Sequence, residues 1–229
     1  MTLKTLKTFG ITVTETENGW SIPGGQKYHG PRMRYAEGDW SNAAFWLVAG
    51  AIGGSIGCQG LDMESPQGDR AIAALLEEFG AETKVALNQI TATHKEMKGI
   101  RIDASQIPDL VPILCVAAAA AEGKTEIYNA GRLRMKESDR LAVMAECMQK
   151  IGVEVEERPD SIIITGGCNP PEGEIVIDSH NDHRIVMAMA IAAVSLGVEL
   201  TILGAEAVNK SYPSFFIELA KLGGVTNVL

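Results

Sequence analysis

Hydrophobic and polar positions along this chain recur in one compound pattern. An apolar stretch at helical spacing runs into a glycine, and two short alternating stretches follow with a polar turn between them. The pattern stands at LKTFGITVTETENGWSIPGG from Leu6, LEEFGAETKVALNQITAT from Leu76, MQKIGVEVEERPDSIIITGG from Met148 and LAKLGGVTNVL from Leu219. Its marker glycines, Gly10, Gly80, Gly152 and Gly223, lie 70, 72 and 71 residues apart. A glycine just past an amphipathic helix tolerates the left-handed conformation that ends the helix. Four of them at a near-constant interval mark an internal repeat.

The remainder of each copy aligns too. Asp39, Asp109 and Asp182 each open a long apolar helix, as capping and the helix dipole favour. The strands GSIGCQGL, GKTEIYNAG and GVELTILG follow, and a second helix opens near Asp69, Glu137 and Pro213. Each unit is thus strand, helix, strand, helix, strand, strand, which predicts an α/β fold with a pseudo-threefold repeat. Three units run from about Tyr35 to Leu229, and before them stand only the last helix and hairpin of a fourth. On this period the sequence reads as a piece of a longer protein.

Composition narrows the class. Apolar residues make up 46% and charged residues 21% of 229, as in an ordinary globular protein. The formal charge of −9 gives no basic footprint for nucleic acid. Cys58, Cys115, Cys147 and Cys168 form no CxxC pair and read as reduced core or half-buried thiols of a cytoplasmic protein. The N-terminus has no apolar signal core, and the apolar run Leu110–Ala121 contains Pro112 and is too short to span a bilayer.

Four segments could carry chemistry. In GRLRMKESDRL, Arg132, Arg134, Lys136 and Arg140 surround Glu137 and Asp139. Lys136 and Arg140, four apart, are expected on one helix face. The knot reads either as a solvated helix start or as a grip on a phosphate or carboxylate. In DSHNDHR, His180 and His183 could flank a metal with Asp182, cap a helix, or present His183 and Arg184 to an anion; no further metal ligands match, so no metal is expected. Asp109 alone reads as an N-cap, and Lys210 alone as a solvated loop lysine. The repeat changes both readings. Asp109 and Asp182 are equivalent, as are Glu137 and Lys210, and a pseudo-threefold axis brings the helix N-termini to one end. That end suits a multiply anionic substrate, with Asp109 and Glu137 as candidate base and acid. No glycine-rich nucleotide loop is present.

The segments EGDWSNAAFWL, IPDLVPILCVAAA, RLRMKESDRL, NDHRIVMAMA and NKSYPSFF, in that order, resemble the enolpyruvyl transferase family, and within it the branch that uses shikimate 3-phosphate. The resemblance spans nearly the whole chain. It implies an inside-out α/β barrel lobe at residues 37–229, with residues 1–36 the tail of a second lobe that lies outside this sequence. It implies transfer of the enolpyruvyl group of phosphoenolpyruvate to the 5-hydroxyl of shikimate 3-phosphate, without metal or organic cofactor.

Carried over by position, the resemblance implies Asp109 as the base and Glu137 as the acid that serves the methylene carbon. Arg140, Arg184 and Lys210 hold phosphoenolpyruvate with His183 alongside, and Lys136 holds the shikimate phosphate side. Arg132 stands where some members carry a substrate-touching Asn. Roughly half of the binding shell then belongs to the other lobe, so this chain alone is expected to fold without turning over, and its stranded first helix and hairpin offer a dimerisation surface. The rival readings are the branch that uses UDP-N-acetylglucosamine and a binding module without chemistry.

Overall fold

In the computed structural model, which describes residues 1–30 and 36–227, the three long apolar helices come together in the interior. They are α2 (Trp40–Gly53), α4 (Val111–Ala120) and α6 (His183–Leu196), and each packs against the other two. Their sequences show why. Every residue of α4 from Val111 to Ala119 is buried, as are nine residues of the first ten of α6. A helix that is apolar all round can only be an interior helix. Alanines at 43, 44, 117–119, 188 and 190 leave room for the backbones to approach. Pro112 sits in the first turn of α4, where its missing N–H costs nothing.

The sheets lie outside these helices. The second unit shows the expected order in full: β6 (Arg101–Asp103), α4, β7 (Lys124–Tyr128), α5 (Arg140–Lys150), β8 (Glu154–Arg158) and β9 (Ser161–Thr165). Its sheet order is β6-β7-β9-β8, with β6 and β7 parallel and the remaining pairs antiparallel. The first unit has β3 (Ser55–Gln59), α3 (Ile72–Phe79), β4 (Glu82–Ala86) and β5 (Gln89–Thr93) after α2, in a sheet of order β3-β5-β4. Its leading strand is missing among the described residues, and residues 31–35 just upstream lie outside them. The third unit has β10 (Val176–Asp178) and β11 (Thr201–Leu203), parallel as in β6–β7, around α6, and then α7 (Phe215–Lys221). Here the expectation of two closing strands fails among the described residues, because none follows α7. Before the three units stand α1 (Thr2–Thr8) and the hairpin β1 (Thr14–Thr16) with β2 (Gly19–Ser21).

The marker glycines behave as the repeat requires. Gly10, Gly80, Gly152 and Gly223 have φ of 76, 109, 81 and 97°. After each, the same pair of bonds closes the helix, for example Gly152 N–H to Gln149 O and Val153 N–H to Met148 O. That is one helix-stop motif used four times.

The second helices start later than the sequence pattern suggests. A 3₁₀ turn precedes each one, at Gly68–Ala71, Gly131–Met135 and Ala205–Lys210. Lys136 and Glu137 therefore lie in the loop before α5, and the expectation of Lys136 and Arg140 on one helix face is overturned. Asp139 takes the cap by accepting from Ala142 N–H, so the helix cannot extend back to Lys136. Among the described residues no helix is long and apolar enough to cross a membrane.

Candidate functional site

Three inner helices pointing the same way bring their N-terminal residues together, and the charged residues meet there. Asp39 and Asp182 cap α2 and α6, Asp39 accepting from the N–H groups of Ser41 and Asn42 and Asp182 from that of Arg184. Asp109 does not cap its helix, contrary to expectation: it lies in the 3₁₀ turn Pro108–Leu110, and α4 has no side-chain cap. The displaced carboxylate is free to meet cations. Lys136 Nζ lies 3.2 Å and Arg140 Nη1 2.8 Å from Asp109 Oδ1, and Arg184 Nη2 lies 3.6 Å from Oδ2.

Arg140 ties the units together. Its side chain is 2% exposed. Its Nε donates to Asp182 Oδ2 at 2.7 Å, its Nη1 to Asp109, and its Nη2 to both Glu137 and Asp182. Ser138 Oγ adds a bond to Asp182 at 3.0 Å. Asp182, fully buried, was read from sequence as a cap, and its place at the heart of the ion-pair network was missed. Its equivalence to Asp109 in the repeat was the available signal.

Burial alone would raise the carboxyl of Asp109, but Arg184, Lys136 and Arg140 together hold it below the usual carboxylate range. Asp182 behaves alike: burial opposes, and Arg140 with the Arg184 N–H prevails. Burial also pushes His183 down, against the pull of Glu137, so the imidazole is neutral at pH 7. Its Nδ1 lies 3.8 Å from Glu137 and 3.9 Å from Asp182, buried and without a hydrogen-bond partner among the described residues. Glu137, Asp182 and His183 have the proximity of a metal triad, but the Arg140 guanidinium already occupies both carboxylates, and a second cation there would be repelled. His180 is exposed and stands apart from that group.

Lys210 comes to the same end of the lobe. It closes the turn Ala205–Lys210 against α6, and its Nζ donates to the Asn181 carbonyl at 2.5 Å. His180 and Asn181 both have positive φ, 49 and 57°. Two such residues in succession hold about 1–2 kcal/mol each of strain, which the cap at Asp182 and the Lys210 bond retain. Behind Lys210, Trp46 Nε1 donates to the Tyr212 hydroxyl at 3.2 Å, and Trp46 stacks on Phe215 at 4.9 Å. Arg132 is exposed and forms no ion pair among the described residues. Arg134 is consumed by structure, pairing with Asp139 at 3.0 Å and Glu157 at 2.8 Å. The four cysteines are free thiols, and burial pushes Cys58 up to about 11 and Cys147 up to about 12. None is a thiolate nucleophile at neutral pH.

One buried arginine, further cations nearer the surface and the carboxylates they pair with gather at one end of the α/β lobe. Solved structures agree on the fold: an EPSP synthase from Acinetobacter baumannii superposes with a TM-score of 0.79 at 33% identity, over 98% of this chain and 54% of that one. The enolpyruvyl transferase NikO from Streptomyces tendae, 19% identical, shares the fold at 0.75 over 97% of this chain and 52% of its own length. The family model for EPSP synthase (3-phosphoshikimate 1-carboxyvinyltransferase) matches residues 1–219, and the chain belongs to that family. The 3-phosphoshikimate 1-carboxyvinyltransferase of Clostridium acetobutylicum is 47% identical over 227 residues, covering 98% of this chain and 51% of the relative. That of Halobacterium salinarum is 41% identical over 234 residues, covering 99% and 54%. The chain spans about half the length of the curated relatives it matches.

Proposed function

We propose that this chain supplies one lobe of a 3-phosphoshikimate 1-carboxyvinyltransferase, carrying its acid, its base and half of its anion clamp. The observation behind this is Arg140, a buried cation that joins Asp109, Glu137 and Asp182 in one network beside Lys136 and Arg184. Two anionic substrates repel each other, so cations must hold them at reacting distance. In this reading Arg140, Arg184 and Lys210 take the phosphate and carboxylate of phosphoenolpyruvate, and Lys136 faces the phosphate of shikimate 3-phosphate.

Asp109 accepts the 5-hydroxyl proton as the oxygen attacks C2, while Glu137 protonates C3, and a tetrahedral ketal results. Glu137 then removes a proton from C3 as the C2–O bond to phosphate breaks, leaving the enol ether and free phosphate. In the unloaded site Glu137 is paired with Arg140. An incoming phosphate competes for that guanidinium, and Glu137, so released, takes up a proton from solvent before it acts as the acid. His183, beside Glu137, gives a further polar contact to the substrate.

The remaining contacts belong to a second lobe, with residues 1–36 as its tail. Met1, Leu3, Trp20 and Ile22 are exposed on α1 and its hairpin, and this apolar surface is where that lobe docks. By itself the chain is expected to bind weakly, not to turn over, and to self-associate through this surface. The test is an NMR titration of the chain with phosphoenolpyruvate. The reading expects the His183 ring and the Arg140 and Arg184 guanidinium signals to move together. A titration that leaves all three unmoved at millimolar ligand contradicts it.

A further inference from the structure

Lys210 is the outlying cation of the proposed site. It is exposed and forms no ion pair among the described residues. Its one side-chain bond among them runs from Nζ to the Asn181 carbonyl at 2.5 Å. A lysine ammonium sits on a flexible four-carbon stem, so what the protein can fix is the backbone that projects it. That backbone is the 3₁₀ turn Ala205–Lys210, which the Ser211 and Tyr212 N–H groups close by donating to the Val208 carbonyl at 3.1 and 2.7 Å.

The corresponding turn of the second unit, Gly131–Met135, is anchored to the hairpin of its own unit. Arg134 donates to the Pro159 and Arg158 carbonyls at 2.9 and 2.8 Å, and the Gly131 N–H donates to the Asp160 carboxylate. In the third unit no strand follows α7 among the described residues, and the turn is anchored from the first unit instead. Tyr212, two residues past Lys210, accepts from Trp46 Nε1 of α2 at 3.2 Å, and the two rings meet edge to face at 6.1 Å. Phe215, buried at the start of α7, stacks on Trp46 at 4.9 Å and meets Tyr212 edge-on at 5.8 Å. Trp46 is 6% exposed, and a buried indole N–H needs an acceptor. Ring contacts tolerate sliding, whereas a hydrogen bond weakens steeply away from its line. The Trp46–Tyr212 bond therefore selects one position for the chain beside Lys210.

We infer that Trp46 is a positioning residue of the site: its bond to the Tyr212 hydroxyl fixes, from the first unit, the third-unit turn that aims Lys210 at Asn181 and at the anionic ligand. The role of Lys210 towards that ligand rests on the proposed function, whereas the hold through Tyr212 exists before any ligand binds. The two are therefore tested apart.

The experiment is proton–carbon NMR of the Lys210 side chain in the full 229-residue chain without ligand, with the signal assigned by its absence from Lys210→Arg. The two protons on Cε give separate signals when the stem is held and a single one when it rotates freely. Separate signals are expected in the native chain. They are expected to merge in Trp46→Phe, which keeps a ring against Phe215 and loses the donor, and in Tyr212→Phe, which loses only the acceptor. The double variant should add nothing to either single one, since both remove the same bond. A merely structural bond would lower the melting temperature and leave the Lys210 signals separate, and that result overturns the inference. Merged signals in the native chain, or merging in only one of the two variants, overturn it equally. Should Trp46→Phe fail to fold, Tyr212→Phe opens no cavity and decides alone. A failed phosphoenolpyruvate titration beside the expected Lys210 result would sink the proposed function alone.

Discussion

Arg140 is a buried cation shared among three carboxylates, and the consequences of breaking that arrangement differ by partner. Asp182 is fully buried, so its loss leaves the guanidinium without its most deeply buried compensating charge. Asp182→Ala is expected to destabilise the fold by about 3 kcal/mol, read as a shift in the urea midpoint at constant slope. Glu137 is exposed and holds Arg140 only from the rim. Glu137→Gln is expected to leave stability within about 0.5 kcal/mol.

Asp109, Asp182 and His183 also set the acid behaviour. The two carboxyls are held below their unfolded values near 4, so their stabilisation is present above that pH and is lost as pH falls through the folded values. His183 is lowered by burial, so its unfolded form binds protons first, and stability also falls as pH drops below about 6.5. Both effects run the same way. Unfolding free energy measured across pH 3–8 should decline on acidification, with the His183→Asn variant losing the upper part of that decline.

At the scale of elements, the helix stops can be compared with one another. Gly223 has φ of 97° and open space around its missing side chain, whereas a Cβ on Gly152 would lie 1.8 Å from the Asn169 carbonyl. Gly223→Ala should therefore cost only the left-handed strain, about 1 kcal/mol, while Gly152→Ala adds a collision with rigid backbone and should cost roughly 2–3 kcal/mol more. Thermal melts of the two variants check this contrast.

These glycines were legible in the sequence because a helix stop is a local event with a fixed residue requirement. The inner helices were legible for a similar reason: runs such as VPILCVAAAA leave no polar face for solvent. The second-helix starts were not, because the 3₁₀ turns at Gly68–Ala71, Gly131–Met135 and Ala205–Lys210 carry the same residue types as a helix. Only the tertiary bonds of Asp139 and Arg140 show where α5 begins. The same limit applies at the site. Lys136 and Arg140 do meet, but at Asp109, ahead of the first helix of their own unit, rather than along one helix. Asp182 looked like a cap and is one, and its second role needs the distance to Arg140, which no spacing rule supplies.

For the molecule as a whole, the pseudo-threefold repeat explains why charged residues from positions 109, 137, 184 and 210 gather at one end. It also explains how one lobe can stand as a unit: the three inner helices bury a continuous apolar core without help from α1 or its hairpin, of which only the loop residue Ile11 is buried. The apolar surface left on α1 and β2 is expected to show itself as reversible self-association in sedimentation velocity, reduced in a Trp20→Ser, Ile22→Ser double variant. A monomer at all concentrations would show that this surface does not drive self-association.

In the proposed function this lobe contributes the acid and base of enolpyruvyl transfer to shikimate 3-phosphate, and complementation puts that to the test. Phosphate release from phosphoenolpyruvate is measured with the chain alone and with a separately produced second lobe from a homologous enzyme, using shikimate 3-phosphate or UDP-N-acetylglucosamine as acceptor. The expected result is turnover only in the mixture and only with shikimate 3-phosphate, falling about 10²–10⁴-fold in Asp109→Asn and Glu137→Gln. Equal turnover in those variants, or release driven by the amino-sugar nucleotide, would contradict it.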